Sequence, residues 1–243
     1  MATDRAATLA ALRARLALIQ SGGRTAADAV PVAKPVDAAL PGGQGLPRGA
    51  SHEVAAAEGD SGSAFGFTSM LAARACAGPN PQTTFWIEPE PSIWPAGALR
   101  FGMRPETLVV VAASGVDSLW AAEEALRCPA VGAACLVHPK PLDLPASRRL
   151  QLAAEAGGGI GLVLVRPEAL AQPSAARTRW RISSAPGTGV RDYELGQAAW
   201  QLELVKAVGG RAGEWNLIWD EEDQALLPHD AEPTAVQPVR AFL

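Results

Sequence analysis

A chain of 243 residues with 48% apolar content can bury a sizeable core and suits one large domain with extensions. A net charge of −4 excludes a general basic field for nucleic acid, and three cysteines with three histidines at scattered positions exclude a metal-ligand spacing or an even disulfide framework. No apolar run reaches bilayer length, and Asp4 with several arginines interrupts what would be a signal-peptide block, so a reducing cytoplasm and no membrane partner are expected.

Along the chain, Leu9, Leu12, Leu16 and Ile19 recur at three-and-four spacing and predict an amphipathic helix within an N-terminal unit, residues 1–20. That stripe serves either packing on its own domain or docking onto another protein. Residues 21–44 are rich in Gly, Pro and Ala and read as a linker or extended arm. From Gly45 the character changes. The runs "SHEVAA" (51–56), "TTFWIE" (83–88), "TLVVVAA" (107–113), "VGAACLV" (131–137) and "IGLVLVR" (160–166) predict buried strands. Between them, 65–76, 117–128 and 147–157 predict helices. Apolar strands alternating with helices imply an α/β fold with a mainly parallel sheet flanked by helices. The segments "RTRWRISS", "AWQLELVKAV" and "EWNLIWD" are β-rich, and "GGRAG" joins the last two as a hairpin, so an antiparallel C-terminal extension completes a core over residues 45–220. The acidic, then Pro-containing stretch 221–243 is expected to be a mobile tail.

On the predicted helix 117–128, Trp120, Ala121, Ala125, Leu126 and Cys128 form the expected buried face, with Glu123 and Glu124 solvated. Leu150 and Leu152 are the expected core contacts of the next helix. In the hairpin, Trp215, Leu217 and Trp219 share one strand face, which serves either core packing or pairing with a partner along an exposed edge.

The stretch "AAEGDSGSAF" (56–65) sits between a predicted strand and helix, where a phosphate loop G-x-x-x-x-G-K-[ST] belongs. Gly62 occupies the second-glycine position. Ala57 stands at the first glycine, Ser63 at the lysine and Ala64 at the metal-binding hydroxyl, so the charge and the Mg²⁺ ligand are missing. No nucleotide or other cofactor is expected. Arg166, Arg177 and Arg179 lie in or beside the connection "RPEALAQPSAARTR", which carries no aromatic residue for base stacking; weak DNA contact is the most they suggest.

The segments "GQGLPRGASHEV" (43–54) and "TFWIEPEPSIWPAGALRFGMRPETLVVV" (84–111) resemble the start of a RecA-like core and the unit that follows it. On that resemblance Glu90 falls where the family keeps its water-activating glutamate, although no other catalytic residue accompanies it. "DSLWAAEEALRCPAV" (117–131), "LDLPASRRLQLAAEAGG" (142–158), "TRWRI" (178–182) and "GGRAGEWNLIWD" (209–220) resemble the ImuA family of bacterial RecA-like proteins, historically linked to the cell-division inhibitor SulA. The resemblance implies a non-catalytic accessory role in damage-induced, error-prone translesion synthesis within the SOS response. The partners it implies are an ImuB-type Y-family homologue, a DnaE-type polymerase and RecA, met at the nucleoid of damaged cells. The partner-binding residues expected are Leu9, Leu12, Leu16 and Ile19 at one end and Trp215 and Trp219 at the other. The terminal "QPVRAFL" faintly resembles a sliding-clamp peptide. Two other functions stay open on the sequence: a DNA-dependent ATPase with a non-standard loop, and a SulA-like inhibitor of division.

Overall fold

A computed structural model describes residues 29–57, 59–138, 140–187 and 196–229. The expected helix stripe Leu9–Ile19 and the terminal 237–243 peptide lie outside the described residues.

The chain opens with β1 (Ala29–Val30), which pairs antiparallel with β2 (Leu46–Pro47). The main sheet then takes β3 (Ala50–Ala56), β4 (Thr83–Glu88), β5 (Leu108–Ala112), β6 (Val131–Val137), β7 (Ile160–Val165), β8 (Thr178–Ala185), β9 (Ala199–Ala207), β10 (Gly213–Asp220) and β11 (Ala225–Pro228). Their order across the sheet is β11-β10-β9-β8-β3-β7-β6-β4-β5. From β5 to β8 neighbouring strands are parallel; β9, β10 and β11 each turn back antiparallel. Three longer helices cover it: α1 (Ser61–Cys76), α2 (Gly115–Arg127) and α3 (Leu144–Gly157). The α/β class, the mainly parallel RecA-like sheet and the antiparallel C-terminal extension agree with the sequence expectation.

Alternation along each strand splits the apolar residues between two faces. Val54, Trp86, Cys135, Leu162, Trp180 and Trp200 pack under α1. The intervening residues Ala55, Ile87, Leu136, Val163 and Val165 pack with Ala122, Leu126, Leu150 and Ala154 of α2 and α3. The central strands are therefore apolar on both faces, which is why they read as continuous runs.

Four expectations are corrected. The arm 21–44 is, over its described part, no spacer: Val30, Val32, Val36 and Leu40 are buried in the α1-side core. Gly45 makes this approach workable, because at φ +123° its α-carbon lies so near Val30 that an added Cβ would stand 2.3 Å from the Val30 carbonyl oxygen. At the other end residues 225–228 are not part of a mobile tail, since β11 extends the sheet to Pro228. Because β11 pairs with Leu217–Asp220, that part of the expected pairing edge is internal, and Trp219 and Leu217 are core residues; Trp215 lies ahead of the paired stretch and packs half-buried against the same core. Finally, Trp120 is 65% exposed and Leu152 and Cys128 are also exposed, whereas Glu123 is nearly buried between Arg127 and Arg149. The face of α2 turned to the sheet is Ser118, Ala122, Ala125 and Leu126. Residues three and four apart share a helix face and residues two apart do not, so the face that turns Ala122 inward leaves Trp120 outside. Among the described residues no helix is long and apolar enough to cross a membrane.

Candidate functional site: the loop between β3 and α1

The carboxyl ends of β3, β6 and β7, with Arg181 of β8 and the start of α1, surround a cavity of about 730 Å³. Open α/β sheets bind their ligands at this end of the strands. Val54, Val137, Leu164 and Phe65 supply apolar walls; Asp60, His138, Arg166, Glu168 and Arg181 supply the polar ones. The degenerate loop forms its floor. Ala57 is held by its backbone N–H, which donates to the Ile182 carbonyl at 2.8 Å, and Gly59 takes φ +77° to turn the chain into α1.

The residue at the lysine position does not reach into the cavity for a ligand. Ser63 is buried and its hydroxyl donates to Asp60 Oδ1 at 2.7 Å. Asp60 Oδ2 accepts the backbone N–H of Ser184 at the end of β8. Burial opposes ionisation of Asp60, but the hydrogen bonds from Ser184 and Ser63 outweigh it and hold the carboxyl below its usual range. The loop thus presents a fixed anion where a phosphate loop presents an ammonium group. Ala64 is buried and has no oxygen for a metal. Gly62 lies inside α1 with nothing within 4 Å of an added Cβ, so close packing does not require its glycine.

Glu90 is exposed, two residues beyond β4. The carboxylate built into this strand end is Glu88, 1% exposed, whose Oε1 accepts the backbone N–H groups of Ser92 (2.7 Å) and Ile93 (3.0 Å), while Oε2 accepts the Ser92 hydroxyl (2.7 Å). It shapes the loop that follows. Glu88 closes an apolar strand, where a lone acidic residue signals an engaged carboxylate; that signal was present in the sequence.

The three arginines part company. Arg166 is exposed at the cavity rim, and Arg177 is half-buried beside His52. Arg179 is a correction: it is 6% exposed and its Nε donates to Glu53 at 2.7 Å. Its two terminal nitrogens donate to the carbonyls of Ala169, Leu170 and Gln172. The β3–β8 register sets Glu53 and Arg179 opposite each other, and one step earlier sets His52 opposite Thr178. Arg179 is consumed inside the fold and has no free donor face for DNA. Next to it, the Trp180 indole donates to Thr178 Oγ1 (2.7 Å), which is 2.8 Å from His52 Nδ1, and His52 Nε2 faces the Pro47 carbonyl (3.1 Å).

Fold and loop together define a RecA-like α/β core that keeps the position of a phosphate loop without its lysine or its metal-binding hydroxyl. The chain belongs to the ImuA family. It is 34% identical over 226 residues, 87% of this chain and 91% of the relative, to a protein named Protein ImuA in Caulobacter vibrioides strain NA1000 / CB15N. It matches equally the protein of that name in strain ATCC 19089 / CIP 103742 / CB 15. No protein-family model matches the chain.

Proposed function

We propose that this protein is a non-catalytic accessory factor of damage-induced, error-prone translesion synthesis, a RecA-like fold kept as a scaffold for an ImuB-type Y-family homologue, a DnaE-type polymerase and RecA. The observation that carries the non-catalytic part is Asp60, pinned between Ser63 and Ser184 at the floor of the cavity. Phosphoryl transfer needs cationic neutralisation of the outer phosphates, a metal ligand and a positioned water. A fixed carboxylate opposes the first, Ala64 cannot supply the second, and for the third Glu90 stands exposed beyond the strand, outside the residues that line the cavity. Membership of the ImuA family supports the mutagenesis role, and the nucleoid of damaged cells is the place where that role is exercised.

The test has two arms. Titration of Mg-ATP into the purified chain gives no binding heat in this reading, and Ser63→Lys alone does not create any, because Asp60 remains. In damaged cells lacking the gene, induced mutation frequency falls; alleles carrying Glu90→Ala or Arg166→Ala restore it fully, and both recover the Y-family homologue and the polymerase on affinity purification. Saturable Mg-ATP binding, or a folded Glu90→Ala protein that fails to complement, refutes the non-catalytic reading. Full damage-induced mutagenesis without the gene refutes the assignment to translesion synthesis.

A further inference from the structure

At the β11 edge of the sheet lies a mainly apolar groove of about 620 Å³, which shares no lining residue with the loop cavity. Pro31, Val32 and Pro35 form one wall and Leu226, Leu227 and Pro228 the other. Leu227 is 43% exposed, and β11 pairs only with β10 among the described residues, so its outer backbone edge and this groove face outward together. An apolar groove beside an open strand edge invites a cover.

We infer that the cover is the chain's own N-terminal segment, with Leu9, Leu12, Leu16 and Ile19 seated in the groove of the same molecule. Three observations select this occupant. The first is where the chain enters: Ala29 belongs to β1, and two residues later Pro31 already lines the groove. The nine residues Gln20–Asp28 span up to about 30 Å when extended, enough for the stripe to fold back, and so short a tether holds it at an effective concentration of about a millimolar.

The second is the match of surfaces. The groove walls are mainly apolar, with Lys34, Asp37 and Arg74 the charged residues among them, and the stripe offers four aliphatic side chains at helical spacing. The third is charge. The end of β10 and the turn to β11 carry Asp220, Glu221, Glu222 and Asp223, fixed beside the groove by Arg74, which lines it and donates to the Gln224 carbonyl at 2.9 Å. Glu221 is paired with Arg100, while Glu222 and Asp223 form an ion pair with none of the described residues. Residues 1–20 carry three arginines (Arg5, Arg13, Arg15) against one aspartate (Asp4), a side-chain balance of +2. The other segment that starts near the groove, 230–243, carries Asp230 and Glu232 against Arg240, a balance of −1 and so of the same sign as the turn.

The experiment uses the full chain with Leu12→Cys, Leu227→Cys and Cys128→Ser, the last removing the exposed native thiol. A short bismaleimide is added at a series of protein concentrations, and products are mapped by mass spectrometry. A 12–227 link inside the monomer, with a yield independent of concentration and a several-fold loss on adding Arg13→Glu and Arg15→Glu, is the expected result. Links only between chains, rising with concentration, place a second copy in the groove and overturn the proposal; absence of a 12–227 link overturns it too. As a second readout without cysteines, Leu12→Glu with Leu16→Glu alters no residue of the described core and accelerates amide exchange at Leu226 and Leu227 at least tenfold. Unchanged exchange there overturns the proposal.

Discussion

Replacing Arg179 by methionine separates an arginine that holds the fold from one that holds DNA. In the structure Glu53 and Arg179 are 4% and 7% exposed at their side chains and meet at 2.7 Å, with Ser174 and Lys206 close by. Arg179 also supplies donors to three carbonyls of the turn after β7. Methionine keeps much of the volume but leaves Glu53 buried without its cation and strips those carbonyls. Breaking a buried pair from one side costs about 3–5 kcal/mol. For a domain of this size that corresponds to a fall in Tm of roughly 6–20 °C. Urea unfolding followed by tryptophan fluorescence reads the loss directly. Because the damage comes from the stranded carboxylate, the double variant Glu53→Met, Arg179→Met recovers part of it. Arg179→Met with wild-type stability and weakened DNA binding would refute the reasoning and return the residue to the surface. Arg166→Ala, exposed at the cavity rim, serves as the control and leaves Tm unchanged.

Leu40→Ala is expected to cost about 2–5 kcal/mol, because this side chain is buried in the α1-side core; if residues 21–44 were a spacer, the same change would be silent in urea unfolding. His52 gives a pH signature. Burial holds its imidazole down to about 3 from an ordinary value of 6.5, so between those values the unfolded chain binds the extra proton and stability falls as the pH is lowered through that window. The slope reaches about 1.4 kcal/mol per pH unit, and His52→Gln flattens the stability–pH curve by close to one proton when unfolding is compared at pH 7, 6 and 5. Glu88→Ala strands two backbone N–H groups and the Ser92 hydroxyl, with an expected loss of about 1–3 kcal/mol, whereas Glu90→Ala leaves the unfolding midpoint in place.

Local pattern carried much of this protein. Continuous apolar runs such as "VGAACLV" and "IGLVLVR" define strands covered on both faces, because a half-exposed strand would need alternate polar residues. The missing lysine and hydroxyl of the loop were legible as plain letters, since that chemistry depends on residue type at fixed spacing. What pattern could not assign was which of two adjacent helix faces turns inward, since Trp120 and Ala122 lie on different faces of α2 and only the packing against β4 and β6 selects one. Nor could it show that Asp60 is held by Ser184, 124 residues away, that Arg179 lies opposite Glu53, or that a Pro-rich arm folds into the core. Those outcomes rest on strand order and register, which bring distant segments within hydrogen-bond reach and then decide by desolvation whether a charged side chain is a surface contact or a buried partner. The sequence determined the kind of fold and the absence of a lysine and a hydroxyl from the loop; tertiary structure alone decided which of its charges remain available to anything outside.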